Sequence, residues 1–260
     1  MTDAPADAPS TPPTAADIVA ALAEFADPER AAGSAWFFRT GPGGYAEGDR
    51  FLGVTMPQLR TVARRFADLP LAEADRLLES PFHEHRMCAL VIGVERFRRA
   101  GRARTRDDAL RADLHEAYLQ HLAAGHVDNW DLVDVSAEVL VGEPCFLPAP
   151  AADPVPPLVA RLVASDSLWE RRVAMISTFA ATKAGDARPA LAVAERLIDD
   201  REDLIRKAVG WMLREVGKRV DRAALTGFLD GYAARLSRVS LSYATEHLDP
   251  EVRAAYRAMR

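Results

Sequence analysis

Apolar residues recur at intervals of three and four along nearly the whole chain, and strict alternation of apolar and polar residues is almost absent. The first pattern is that of amphipathic α-helices, whereas the second would indicate half-buried β-strands. The sequence therefore predicts an all-α protein. The predicted helices cover residues 15–26, 29–38, 57–67, 71–79, 83–99, 107–123, 129–140, 155–164, 168–182, 187–199, 203–217, 221–235 and 239–247.

Segments rich in glycine and proline separate these helices, most clearly at 40–49 and 142–157. The stretch 142–157 is compatible with a linker between two domains. Helix pairs of the same kind lie on both sides of it, however, so we favour a single domain over residues 15–260. The Ala/Pro-rich segment 1–14 lacks the basic and apolar regions of a targeting signal and is predicted to be a disordered tail.

Three helix starts share one pattern, an adjacent pair of basic or titratable residues followed by small and apolar ones. The segments are "HEHRMCALVI" (83–92), "LWERRVAMIS" (168–177) and "DLIRKAVGWM" (203–212). The last two begin about 35 residues apart, a period typical of stacked helical hairpins of the HEAT or armadillo kind. The sequence thus predicts an α-solenoid in which equivalent helices line one concave surface.

Composition narrows the function classes only partly. The chain has 260 residues, of which 27% are charged, and a net charge of −5, which argues against indiscriminate binding to polyanions but leaves a local basic face possible. Two cysteines, Cys88 and Cys145, are too few for a disulfide framework or a structural zinc site. Without an apolar run of membrane-spanning length, we expect a cytoplasmic protein with no membrane partner.

Cofactor and metal motifs are not recognisable in the sequence. The glycine-rich nucleotide-binding patterns and the serine-hydrolase elbow are missing, so we expect no cofactor. His83 and His85 are close in sequence, but no second group of ligands accompanies them, and we expect no metal.

Candidate chemistry lies in the stripes of three helices. Lys207, Trp211 and Arg214 are spaced i, i+4, i+7 and therefore share one helix face. Trp130 and Asp134 share a face at i, i+4, and Trp169 and Arg172 share one at i, i+3. If the solenoid places these helices side by side, cations, indoles and a carboxylate meet in one groove.

Structural explanations compete with a functional role for several of these residues. A tryptophan at helical spacing is often a core residue, and we expect this for Trp169. Arg171 and Arg206 are expected to be solvated, and Arg214 with its neighbour Glu215 is compatible with ordinary surface charge.

The acidic residues around Trp130 divide in the same way. Asp128 is the expected N-cap, and Asp131 fits the first turn, where the helix dipole favours an acid. Asp134 lies beyond the first turn, beside an apolar run, where an unpaired carboxylate would be unfavourable to bury. An ion pair with Arg172 and a catalytic role both remain open for it.

Four segments in this order carry a family resemblance: "FFRTGPGGYAEGDRFLGVTMPQLR" (37–60), "DNWDLVD" (128–134), "SDSLWERRVAMISTF" (165–179) and "DLIRKAVGWMLREVGKR" (203–219). Over residues 30 to 250 the chain resembles the AlkD-like DNA alkylation-repair glycosylases, which are HEAT-like repeat proteins. The resemblance implies a concave DNA-binding face with Trp130 and Trp211 as groove tryptophans and Asp134 as the catalytic carboxylate.

The resemblance also implies DNA contacts. Arg172 matches a groove arginine and Arg214 a phosphate-contacting position, and Lys207 and Thr55 are further candidates. Thr55 stands where a relative has a polar amide. Two other positions differ from a relative that has DNA-contacting lysines there, and these are Ala180 and Thr182. Such differences bear on the strength and footprint of DNA binding rather than on the chemistry.

The implied function is a monofunctional glycosylase of base excision repair. It would hydrolyse the N-glycosidic bond of cationic N3- or N7-alkylated purines in duplex DNA, act as a monomer, and associate with the bacterial nucleoid when bound to DNA. Two alternatives are a catalytically silent protein that binds DNA structure and a protein-binding solenoid. Asp134 together with both tryptophans argues against the first, and the stripe of Lys207, Trp211 and Arg214 argues against the second.

Overall fold

A computed structural model describes residues 12–147 and 153–259, and over these ranges the all-α prediction is confirmed. No β-strand occurs in the described ranges, where a single β-bridge joins Arg50 and Phe82. The described chain forms two compact units, one ending at Arg106 and one starting at Asp107. Most of the predicted tail, residues 1–11, and residues 148–152 lie outside the described residues, and the single domain stays a prediction. None of the helices in the described ranges is both long and apolar enough to cross a membrane.

Within residues 12–106, the first unit contains five α-helices and a short 3₁₀ turn at its end. The helices are α1 (Ala15–Ala23), α2 (Pro28–Phe37), α3 (Met56–Arg65), α4 (Leu71–Leu78) and α5 (His83–Ala100), and the turn is Ala103–Thr105. Helix α5 is buried along most of its length and contacts α1, α3 and α4, so it forms the centre of this unit.

The described part of the second unit, residues 107–147 and 153–259, contains eleven α-helices. They are α6 (Asp108–Ala123), α7 (Trp130–Ala137), α8 (Glu143–Phe146), α9 (Pro157–Val163), α10 (Leu168–Ser177), α11 (Phe179–Lys183), α12 (Arg188–Arg196), α13 (Asp203–Arg219), α14 (Arg222–Tyr232), α15 (Arg238–Ala244) and α16 (Pro250–Ala258). The last helix was not predicted, although Asp249 followed by Pro250 is a recognised helix start. The predicted helix 168–182 is divided into α10 and α11 at Thr178.

The predicted break at 142–157 is also wrong in its first part. A π-turn, Glu138–Gly142, continues α7 directly into α8, so helical structure extends to Phe146. A π-turn accommodates one additional residue per turn and leaves backbone carbonyl groups displaced from the regular ladder. Here Nδ1 of His115 on α6 lies 2.6 Å from the carbonyl oxygen of Leu140, which gives one carbonyl group of this turn a side-chain partner.

Successive helices of the second unit pack in a row, as the repeat predicts. Helix α10 contacts α7 on one side and α13 on the other, and α13 in turn contacts α15. Helices α9, α12 and α14 each pack against a member of this row. The three helices that carry the candidate residues, α7, α10 and α13, are therefore consecutive neighbours.

Gly210, next to Trp211, allows α13 and α15 to approach closely. A Cβ atom at this position would lie 2.5 Å from the carbonyl oxygen of Ser240, a backbone atom that cannot move independently of α15. We expect Gly210→Ala to lower the melting temperature, because overpacking costs about 1–3 kcal/mol and exceeds the roughly 1 kcal/mol gain in helix propensity. Circular dichroism melting would measure this.

Gly227, in the middle of α14, is the matched control. Apart from its chain neighbours and the backbone of its own helix, no atom of the described residues lies within 4 Å of a Cβ placed there, so Gly227→Ala is expected to leave stability unchanged or raised. Equal melting temperatures for the two variants would contradict the close approach at Gly210.

Candidate active site and nucleic-acid surface

The start of α7 fixes the position of Trp130. Asn129 is fully buried and is the N-cap, and its Oδ1 accepts a hydrogen bond of 2.8 Å from the backbone N–H of Trp130. The expected N-cap, Asp128, is therefore wrong by one residue, because it is Asn129 that adopts the extended backbone conformation of a cap. Asp131 lies in the first turn, as predicted.

Asp134 and Arg172 form a bidentate ion pair between α7 and α10. Nε and Nη2 of Arg172 donate to the two carboxylate oxygens of Asp134 at 3.0 and 2.8 Å. Nη1 of Arg172 donates to the carbonyl oxygen of Leu204 at 2.6 Å, at the start of α13. The structural explanation of Asp134 is thus correct as far as the contact goes, and the phosphate contact expected of Arg172 stays a prediction.

The two partners differ in their access to solvent. The Arg172 side chain is 5% exposed, whereas that of Asp134 is 17% exposed. Burial raises the pKa of the Asp134 carboxyl above its ordinary value, and the charge and hydrogen bonds of Arg172 oppose that rise. Asp134 is therefore a carboxylate that Arg172 holds in place and whose side chain keeps a small exposed fraction.

A second ion pair of the same kind lies in the first unit. Nη2 of Arg86 contacts Oδ1 of Asp49 at 2.6 Å, and Nδ1 of His83 lies 2.8 Å from Oδ2. The Asp49 side chain is only 3% exposed. The separation in sequence is 37 residues for Asp49 and Arg86 and 38 for Asp134 and Arg172. The repeat therefore carries an aspartate–arginine pair in each unit, of which only the second reaches the surface.

Trp130 and Trp211 are both half-buried, and neither is a core residue, as predicted. Trp169 is half-buried as well, so its expected place in the core is wrong. Trp211 packs against the ring of Phe179, with 6.1 Å between the ring centroids. Phe179 ends the segment 165–179 quoted above, but it was not singled out because its contact with Trp211 joins two helices.

This chain is similar to known proteins over most of its length. The family model described as "DNA alkylation repair enzyme" matches residues 18–248. The chain belongs to this family. No curated protein matches the chain. A solved structure titled "Predicted DNA alkylation repair enzyme from Enterococcus faecalis" is similar to it, with a TM-score of 0.65 and 16% identity, over 86% of this chain and 97% of the other.

Within this alkylation-repair protein, the predicted basic residues on α13 are paired with acids. Nζ of Lys207 lies 2.7 Å from a carboxylate oxygen of Asp203, one turn earlier on the same helix. Arg214 contacts Glu246, and its Nη2 donates to Glu215 at 3.2 Å. Both side chains keep some exposure, so they are partly neutralised surface cations.

The predicted DNA contact in the first unit, Thr55, is the N-cap of α3. Its backbone N–H and its hydroxyl donate to Oε1 of Gln58 at 2.9 and 2.6 Å. The hydroxyl therefore has a structural partner, and a role in DNA binding stays a prediction.

Ala180 and Thr182 are both buried. These are the positions at which a relative has DNA-contacting lysines. The exposed cation of α11 is instead Lys183, whose Nζ donates to both carboxylate oxygens of Glu138 at 2.7 and 2.8 Å. Both side chains are short and lie in the interior, and their effect on the DNA footprint stays a prediction.

Arg171 and Arg206, expected to be solvated, are half-buried and hold the turn before α13. Nε of Arg171 donates to the Asp200 carboxylate at 2.7 Å, and Nε of Arg206 donates to the Asp200 carbonyl oxygen at 2.9 Å. The expectation is wrong because each guanidinium finds acceptors in the adjacent loop. Among residues 12–147 and 153–259, no group of three or more His, Cys, Asp or Glu side chains is arranged to hold a metal ion.

Proposed function

We propose that this protein is a monofunctional DNA glycosylase that hydrolyses the N-glycosidic bond of cationic N3- or N7-alkylated purines in duplex DNA. Membership of the alkylation-repair family supports a role in this kind of repair. The observation that carries the finer proposal is the Asp134 carboxylate, fixed by Arg172, partly exposed, and one helical turn after a half-buried tryptophan.

The chemistry of such a substrate requires little from the protein. An alkylated N3 or N7 makes the base cationic, so the bond from C1′ to the base nitrogen breaks with its electron pair going to a neutral leaving base. No general acid has to protonate that base. Positive charge develops on the sugar, and an adjacent carboxylate stabilises it. Water then bonds to C1′, and its proton passes to Asp134 or to solvent.

Trp130 and Trp211 are proposed to hold the cationic nucleoside. The face of an indole attracts a cation, and each contact contributes about 0.5–2 kcal/mol depending on how far water is excluded. Half-burial suits this role, because a tryptophan in the core has no free face and a fully exposed one is poorly fixed.

Arg172, Arg214, Lys207 and Thr55 are proposed as contacts to the DNA backbone. Such contacts position a duplex without reading its sequence. Arg172 has a second proposed role in positioning, because its guanidinium fixes the orientation of the Asp134 carboxylate.

One observation favours a second candidate, the catalytically silent DNA-binding protein. The pair formed by Asp49 and Arg86 shows that this chain uses the same contact purely within its interior. If the pair formed by Asp134 and Arg172 were equally structural, the surface would bind DNA without cleaving a bond.

The test is direct measurement of base release. We expect the protein to release free 7-methylguanine from a duplex that contains one such residue, and to leave an abasic site. A matched duplex with one hypoxanthine, a neutral purine, should remain intact because it offers no cationic base to the indoles and a poorer leaving group. Binding of both duplexes without release from either would favour the silent DNA-binding protein.

A further inference from the structure

We infer that Arg219, at the end of α13, is a phosphate-binding residue of the DNA surface and is held ready for this by Glu215 and Phe179. This inference rests on the proposed function only in that DNA is the ligand, since it concerns binding and not base release. Arg219 was not among the residues expected to contact DNA.

Glu215 fixes one edge of the Arg219 guanidinium. The side chain of Glu215 is almost completely buried, and its Oε2 accepts a hydrogen bond of 2.6 Å from Nε of Arg219. Its other oxygen, Oε1, accepts from Arg214. Burial acts to raise the pKa of Glu215, but hydrogen bonds from Arg219 and Arg214 outweigh it and hold the pKa below its ordinary value. Glu215 is thus an ionised anchor for two arginines.

Phe179 fixes the face of the same guanidinium. The Arg219 Cζ atom lies 5.2 Å from the centroid of the Phe179 ring, within the range of a cation–π contact. That ring also packs against Trp211, one of the two proposed nucleoside-binding tryptophans. Arg219 is therefore separated from Trp211 by a single aromatic ring.

The outer edge of Arg219 remains available. Its side chain is 42% exposed, and within residues 12–147 and 153–259 its Nη1 and Nη2 have no hydrogen-bond or ion-pair partner. Lys207 and Arg214, in contrast, already contact carboxylates with their terminal nitrogens. Two parallel N–H donors on a fixed guanidinium match the geometry of a phosphate group.

The restricted conformation of the Arg219 side chain favours binding, because an ordinary surface arginine loses rotamer freedom when it binds a phosphate. Glu215 and Phe179 have already restricted this side chain in the unbound protein, so less entropy is lost when a phosphate arrives. The chain thus offers one preorganised phosphate site beside the proposed nucleoside site.

The test compares Arg219→Gln with Arg235→Gln. Arg235 is similarly exposed, contacts the Asp199 carboxylate and lies 5.9 Å from the Tyr232 ring centroid, but it is outside the group of Phe179 and Trp211. We expect Arg219→Gln to weaken binding of unmodified and 7-methylguanine duplexes by the same factor, several-fold. The slope of log K against log salt should fall by about 0.9, as for one lost phosphate contact. Arg235→Gln should match the wild type.

A structural role and a catalytic role predict different results. If Arg219→Gln lowered only the melting temperature, with the same affinity and salt slope as the wild type, the inference would be overturned. It would equally be overturned if base release at saturating protein fell while affinity stayed constant. Wild-type protein that binds DNA without releasing bases would remove the proposed function but leave the Arg219 comparison decisive, and wild-type protein that does not bind DNA would overturn both.

Discussion

Asp134→Asn is expected to reduce single-turnover release of 7-methylguanine by at least about 100-fold, the usual effect of losing a group that stabilises transition-state charge. The change removes the negative charge and preserves the shape of the side chain. Affinity for the duplex should be equal or higher, because a carboxylate repels phosphates. Base release under saturating protein and fluorescence anisotropy with the same duplex would measure the two quantities.

The chain supplies its own control in Asp49, whose pairing with Arg86 and His83 resembles that of Asp134 but is closed to solvent. Asp49→Asn is expected to destabilise the protein, since breaking a buried ion pair typically costs about 3–5 kcal/mol. The folded fraction should still release the base at the wild-type rate. Should Asp134→Asn retain release within about twofold of wild type, equivalent to about 0.4 kcal/mol in the barrier, the catalytic assignment would be wrong.

Arg172→Gln is expected to move the acidic limb of base release to higher pH. Only ionised Asp134 stabilises the sugar cation, so release falls as pH drops through the pKa of Asp134. Burial already raises this pKa, and Arg172 opposes the rise. Without Arg172 the pKa rises further, and the loss of activity begins at a higher pH. A pH profile of single-turnover release would show the displacement.

The same variant has a signature in stability. A carboxyl group with a higher pKa in the folded state than in the unfolded state binds its proton more tightly when folded. Its stabilising effect is therefore complete below the unfolded pKa and is lost as pH rises through the folded value. Arg172→Gln should accordingly be more destabilised at neutral than at acidic pH.

Arg171→Gln is the control for the pH prediction. It removes an arginine from the same helix that pairs with Asp200 rather than with Asp134. It should lower stability without displacing the pH profile. Identical acidic limbs in the wild type and in Arg172→Gln would show that Arg172 does not act through Asp134.

Much of the second unit was predictable because local patterns and tertiary packing agree there. The order of the helices and the row formed by α7, α10 and α13 follow from residue spacing, whereas the half-burial of Trp130 and Trp211 was expected from the family resemblance. The ion pair between Asp134 and Arg172 was foreseen as one of two explanations. The repeat also contains a signal for the pair in the first unit. Asp134 precedes Arg172 by 38 residues, and the same step back from Arg86 leads to within one residue of Asp49.

The errors arose where distant atoms decide the outcome. Arg171 and Arg206 were expected in solvent because no local pattern reveals the acceptors at Asp200. The π-turn after Asp134 was missed because a proline-rich sequence favours a break, whereas packing of Gly142 against α10 and α11 favours continuation. Phe179 was missed for a related reason, since its contact with Trp211 joins two helices.

The two aspartate–arginine pairs suggest a route by which stacked helical proteins acquire reactive groups. In the first unit the ion pair joins two segments of the chain, and the side chain of its aspartate is almost completely buried. In the second unit the carboxylate of the corresponding pair belongs to a side chain that is 17% exposed. A designer seeking a reactive carboxylate in such a scaffold could therefore begin from a buried ion pair and replace the side chains that cover it with smaller ones. The arginine partner would already orient this carboxylate. A carboxylate introduced on an exposed surface would need hydrogen-bond partners to be designed for it as well.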